Sequence, residues 1–388
     1  MPTVANDGNV YIFTRIIAAS SKLRSLCFGP FLFRCQRLSF RLCLPTISTS
    51  ILLELRINLE DFIDCLYLLD GRFDQLRDLY IDILHIFPPW IPVDNKKQLP
   101  NLKRFSLRCK WKTNEYSELI LPLLYRMVNL EELDLCIAVI NERRFIDGYH
   151  IKQVIFDHLL QMKKFIFNIR STIYLDNQIS LLSNEDIQVS FKDFLSHKVT
   201  SRVDYFSNLK QGQCHIYSLP YYAKYYHGIT NNLPNEIFRH VCEVSLFDER
   251  PFEHNSFLRI AKSFPSMKIL TIVNKQPQKN KFSRQSTDNG QHLSVVHYPH
   301  LTELILDEGH DDYVEQFLLD TKTRLTRKLD VDVTYETLDA VTHHFSREAT
   351  RVNCTKLLHI YIYTFRSSTP NAFKRLLSGC GTSTNMIY

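Results

Sequence analysis

Apolar residues at relative positions 1, 4 and 6, recurring every 24–32 residues with helical stripes between them, predict an α/β fold. That fold class is an irregular leucine-rich-repeat solenoid, a curved parallel sheet with helices on the convex side. The clearest copies are Leu130-Glu131-Glu132-Leu133-Asp134-Leu135 and, 28 residues earlier, Leu102-Lys103-Arg104-Phe105-Ser106-Leu107.

Further copies follow the same spacing. They begin at Leu23, Leu52, Leu76 and Met162, then at Val241, Met267, Leu301 and Leu357, while Leu329, Val331 and Val333 alternate as a strand. Leu119 to Met127 and Val154 to Met162 place apolar residues on one helical stripe. Helix and strand in alternation bury each other only when neighbouring copies are present. Residues 1–21 read as a lead-in, 22–366 as the repeat domain, and 367–388 as a C-terminal cap and tail, with a short helix expected over Thr369 to Leu377. Residues 171–236 break the rhythm and read as an irregular insertion or degenerate copies. Lys275 to His292 is polar and reads as a disordered loop.

Positions 4 and 6 lie two apart, so they share one side of a strand and face the core. Positions 3, 5 and 7 then form the concave face. Candidate protein-binding residues there are Asp78, Tyr80, Asp82, Arg104, Arg108, Glu132, Asp134, Tyr361 and Tyr363. Glu54 and Arg56 share that face. The Asn or Cys usual at position 9 is replaced by Glu60, Leu84, Lys110, Ala138, Lys275 and Gly309, so the turn ladder of a regular repeat is missing.

Composition narrows the function classes. The 388 residues are 45% hydrophobic and 23% charged, an ordinary globular balance. The net charge of +6 is spread evenly, with 25 basic and 22 acidic residues in 1–200 and 22 and 19 in 201–388. No basic half stands out as a nucleic-acid platform. Only 10 glycines occur, and no G-x-G-x-x-G, G-K-[ST] or G-x-S-x-G motif is present. Ten cysteines form no C-x-x-C pair and read as reduced packing residues of a cytoplasmic or nuclear protein. No run reaches the ~18 apolar residues of a membrane span.

His310, Asp311, Asp312 and Glu315 form the densest acidic cluster, but their place after a strand suits a helix N-terminus better than a metal site. His343 and His344 are adjacent and diverge on a helix. The tyrosines at 217, 221, 222, 225 and 226 suit a protein contact or simple packing. No catalytic residue, metal ligand or cofactor site is expected, and no nucleic-acid or membrane partner.

Four blocks, Ile51 to Ile83, Leu99 to Cys109, Val244 to Ile272 and Asp311 to Thr321, resemble the repeat region of F-box proteins expanded in certain invertebrates. The resemblance runs from Leu38 to Asn353. It implies a non-enzymatic ubiquitin-ligase substrate adaptor, whose repeats hold a protein substrate and whose F-box docks the Skp1–cullin complex. The first 40 residues carry no F-box. Leu233-Pro234-Asn235-Glu236-Ile237 resembles the start of one but lies within the repeats, where it reads as a loop before a short helix. The Skp1–cullin partner is therefore expected only with an F-box upstream. The alternatives are a scaffold or decayed paralogue without a ubiquitin role and, last, a hydrolase.

Overall fold

A computed structural model describes residues 3–29, 37–41, 48–49, 51–89, 96–140, 144–175, 181–192, 198–279 and 294–363. The short helix expected at Thr369 to Leu377 and most of the polar loop after Lys275 lie outside those residues. The chain divides into two units, the first ending at Leu219 and the second beginning at Pro220.

In the first unit, a helix α1 (Thr3–Ala19) precedes β1 (Ser25–Phe28), β2 (Glu54–Asp61), β3 (Asp78–His85), β4 (Arg104–Thr113), β5 (Glu132–Val139) and β6 (Lys164–Tyr174). These six strands pair in parallel and in chain order. Parallel neighbours need a crossover connection. Short helical pieces supply three of the five among the described residues: α2 (Phe62–Leu68), α3 (Leu121–Tyr125) and α4 (Gly148–Ile151), the last two joined to π-helical turns at Tyr116–Ile120 and Lys152–Phe156. Pro122 sits where the π-helical turn passes into α3. Asp147 caps α4 by accepting from the His150 N–H at 2.8 Å.

The register stacks Leu55, Leu79, Phe105, Leu133 and Phe165 in one row, and Ile57, Ile81, Leu107, Leu135 and Phe167 in the next. All ten are buried, against Ile120, Leu123 and Leu124 around α3 and Ile151 and Ile155 around α4. Arg126, also buried, donates to the carbonyls of Lys97 and Leu69 at 2.7 and 2.5 Å and so ties three loops together.

The sheet then changes character. Helix α5 (Asn184–Val189) is closed by a capping box: the Asp186 N–H donates to Ser183 Oγ at 3.1 Å, and the Ser183 N–H donates to Asp186 Oδ2 at 2.8 Å. It leads to β7 (Val199–Phe206) and β8 (Gln211–Ser218), an antiparallel hairpin turned by Ser207–Lys210, with Lys210 at φ +49°. Strand β8 pairs antiparallel with β6, which gives the order β1-β2-β3-β4-β5-β6-β8-β7. A connection this short admits only antiparallel neighbours.

The second unit has a six-stranded parallel sheet of β9 (Tyr225–Ile229), β10 (Glu243–Phe247), β11 (Ile269–Asn274), β13 (Glu303–Gly309), β15 (Leu329–Thr334) and β16 (Leu357–Tyr363). The short strands β12 (Val296–Tyr298) and β14 (Thr323–Leu325) form a separate parallel pair. Helices α6 (His254–Ser263), α7 (Asp311–Leu318), α8 (Tyr335–Thr342) and α9 (Glu348–Cys354) connect the strands. Helix α6 buries Phe257 and Ile260 on one stripe.

The expected irregular leucine-rich-repeat solenoid is therefore corrected. The strands belong to three sheets rather than one, the largest is mixed parallel and antiparallel, and strand lengths run from 3 to 11 residues. The architecture is a multi-sheet α/β fold. Residues 171–236, where an irregular insertion or degenerate copies were expected, supply the end of β6 and all of β7, β8 and β9. Leu233 to Ile237 form no helix.

Candidate functional site

Each strand of the first sheet alternates, so the residues between the core rows emerge on the opposite face. Three register rows cross β2 to β6 there. The first is Glu54, Asp78, Arg104, Glu132 and Lys164; the second Arg56, Tyr80, Ser106, Asp134 and Ile166; the third Asn58, Asp82, Arg108, Cys136 and Asn168. Seven of the nine residues read from the sequence as a binding face, Asp78, Tyr80, Asp82, Arg104, Arg108, Glu132 and Asp134, meet in these rows. Tyr361 and Tyr363 lie elsewhere, on β16 of the second unit.

Glu54 and Asp78 are like charges side by side in register, an unfavourable cross-strand pair. Each is offset by a cation. Arg56 Nε donates to Glu54 Oε1 at 2.8 Å, with its guanidinium 3.8 Å above the Tyr80 ring. Arg104 forms two hydrogen bonds to the Asp78 carboxylate, Nε lying 2.6 Å from Oδ1. That bond pushes the Arg104 guanidinium further above its usual range. Asp134 accepts from Ser106 Oγ at 3.0 Å and from Arg108 Nη2 at 2.6 Å.

Arg37 completes the set from outside the strands. Its guanidinium donates to Asp82 Oδ1 at 2.8 Å and to the Asp82 and Leu59 carbonyls at 2.9 and 3.1 Å. The spacing of apolar residues gave no sign of it, because Arg37 belongs to no strand triplet. The face thus sets five carboxylates (Glu54, Asp78, Asp82, Glu132, Asp134) among five cations (Arg37, Arg56, Arg104, Arg108, Lys164). Arg56 and Arg104 are exposed, Tyr80, Arg108, Glu132 and Asp134 half-buried, and Asp78 buried.

Beyond a bulge between Arg108 and Lys112, the same face continues through Lys112, Ala138, Arg170, His215 and Arg202 in one row. Burial, reinforced by the Arg170 charge, pushes the Lys112 ammonium down to about 7. His215 Nε2 lies 2.6 Å from Asn168 Oδ1. The bulge gives β4 two more residues than β5 between these rows, so the face is kept while the register shifts, and the extension lies beyond position 7 of the repeats, where no face residue was read.

The other sequence candidates separate. His310 accepts from the Asp312 N–H at 3.2 Å and caps α7. Asp311 accepts from Thr337 Oγ1 at 2.8 Å, Asp312 from the Gln278 N–H at 2.8 Å, and Glu315 binds Lys322 and Arg347 at 3.1 and 3.3 Å. His343 and His344 do not continue α8; both adopt left-handed backbone where it ends. Of the tyrosines, 217, 221 and 226 are packed inside, while Tyr222 is exposed. Among the described residues no group of three or more His, Cys, Asp or Glu side chains is placed to hold a metal ion. No described helix is long and apolar enough to cross a membrane.

No family model matches the chain, and no curated protein or solved structure does either. The resemblance to the repeat region of F-box proteins is corrected accordingly. Neither a family nor the observed fold ties the chain to such an adaptor, and the ubiquitin-ligase function expected from it falls with the resemblance.

Proposed function

We propose that the chain acts by binding rather than by catalysis, and that the charged face of β2 to β6 docks another protein. The observation that carries this reading is the ordered mosaic of Arg56, Tyr80, Asp78, Arg104, Asp134 and Arg108. Arg and Tyr are the residue types enriched at protein interfaces. Here they are held in place by their own ion pairs, so little side-chain freedom remains to be lost on association. Five carboxylates among five cations favour a partner of mixed charge over a polyanion, because phosphate recognition depends on uncompensated cations.

The test pairs capture with footprinting. A true partner is retained by the wild type, shields Tyr80 from hydroxyl-radical labelling, and is lost from the double variant Arg104→Glu, Arg108→Glu at unchanged fold. A captured protein that leaves Tyr80 labelled as in the free chain refutes the reading.

A further inference from the structure

Two guanidinium groups of the charged face converge over one strand. Arg56 rises from β2 and lies 3.8 Å above the ring of Tyr80, while Arg104 reaches from β4 to the carboxylate of Asp78. Asp78 and Tyr80 both belong to β3 and point to the same side, two residues and so about 7 Å apart. The Arg104 charge is also within reach of Tyr80. Cations form the outer layer here. Arg56 and Arg104 are 50% and 48% exposed, against 31% for Glu54 and 12% for Asp78.

Each guanidinium uses only part of its donor set. Arg104 gives Nε and Nη2 to Asp78, and Arg56 gives Nε to Glu54. Among the described residues, no acceptor engages Nη1 and Nη2 of Arg56 or Nη1 of Arg104. Stacking on Tyr80 and pairing with Asp78 fix the planes of the two groups. The remaining donors suit a carboxylate, whose two oxygens take several charge-assisted bonds from arginine. A dianion would face the Glu54 and Asp78 carboxylates in the layer beneath, so a singly charged group fits better.

We infer that this face accepts one aspartate or glutamate side chain of a protein partner, seated between Arg56 and Arg104 above β3. The inference rests on the docking role proposed for the face and names the group recognised there. Arg56 sets the specificity, because it offers both of its amino groups and Tyr80 holds its plane. Lysine in its place would keep the charge and lose the fork.

Binding of two pentapeptides to the full chain, read from the arginine Nε–H signals in nitrogen-15 NMR, tests the inference. Both are acetylated and amidated, with serine and threonine around one central residue, glutamate in the first and glutamine in the second. The glutamate peptide should shift the Arg56 and Arg104 signals together and saturably, and the glutamine peptide should bind about tenfold more weakly or less. Arg56→Lys should weaken the glutamate peptide by about tenfold in a chain that still unfolds cooperatively. Equal binding of the two peptides, or an Arg56→Lys chain that binds as the wild type does, overturns the inference. So does N-acetylglutamate amide bound as tightly as the peptide, which marks a site for small acids. A captured protein that still shields Tyr80 in the Arg56→Lys chain leaves the docking role standing and overturns only the acidic seat.

Discussion

Arg104 clamps Asp78 across the β3–β4 pair, its Nε 2.6 Å from Oδ1, so that the more exposed partner shields the more buried one. The pair neutralises the Glu54–Asp78 contact in the adjoining register. It also gives the face a fixed positive point at Arg104 rather than a mobile one.

Removing that clamp should cost a moderate amount of stability. Arg104→Ala removes an exposed guanidinium but leaves the buried Asp78 carboxylate without its cation, which should cost about 1–3 kcal/mol. Urea unfolding of the variant should show a loss within that range. The double reversal Arg104→Glu, Arg108→Glu should abolish partner capture while the cooperative unfolding transition persists.

Leu133 is enclosed between Phe105 and Phe165 in the core row. Leu133→Ala should cost about 2–5 kcal/mol by leaving a cavity that the stacked neighbours cannot fill. An equal loss from Arg104→Ala and Leu133→Ala would show that the two faces of the sheet had been exchanged.

Asp64 is wholly buried and accepts from the Phe40 and Asp61 N–H groups at 2.7 and 3.0 Å. Burial outweighs those bonds and pushes its carboxyl up to about 7. The folded chain thus holds this proton more tightly than the unfolded one. The resulting stability is fully present below about pH 3.8 and is lost as pH rises to about 7. Asp64→Asn should flatten that slope in unfolding titrations between those limits.

Lys112 acts in the opposite sense. Its folded value of about 7 lies below the 10.5 of the free side chain, so the folded chain releases the proton first. The stability linked to that release is present above pH 10.5 and lost as pH falls towards 7. Lys112→Met should stabilise the chain most on the acid side of neutrality, with the gain shrinking under alkaline conditions. A pH-independent gain would place the ammonium in water.

Gly148 opens α4, and a Cβ there would stand 2.3 Å from the Ser190 carbonyl oxygen. Its N–H donates to Ser190 Oγ at 2.7 Å, so the two backbones cannot part without breaking that bond. Gly148→Ala should cost about 1–3 kcal/mol as overpacking. Thermal melts of the variant measure it.

The sequence revealed strands and their faces but not how the strands are joined. Leu55, Phe105 and Leu133 announce themselves by spacing because burial is a local demand on each strand, and the residues between them fell on the charged face for the same reason. Sheet membership depends instead on connections. The hairpin turn at Ser207–Lys210 holds Ser207 and Asn208 but no glycine, and its left-handed residue is Lys210, so the Asn-Gly or Asp-Gly pair that marks a tight hairpin was missing. The periodic reading therefore extended one parallel sheet across a region where β8 reverses direction. Short arrays of parallel strands with helical connections share their spacing with true solenoids. Among the site residues, Arg37 escaped because nothing in its neighbourhood repeats. Tyr361 and Tyr363 were grouped with the early face only because a single sheet had been assumed.

The reversal at β8 also bears on synthesis. Antiparallel strands joined by four residues form among the fastest of tertiary contacts, whereas each parallel pair waits for a complete crossover. All eight strands of the first sheet precede Pro220 in the chain. A nascent chain leaving the ribosome has therefore made every one of them before the second sheet begins, and β7–β8 closes off the growing end of the first. The cell need not shelter an unfinished parallel edge there while the remaining residues are translated.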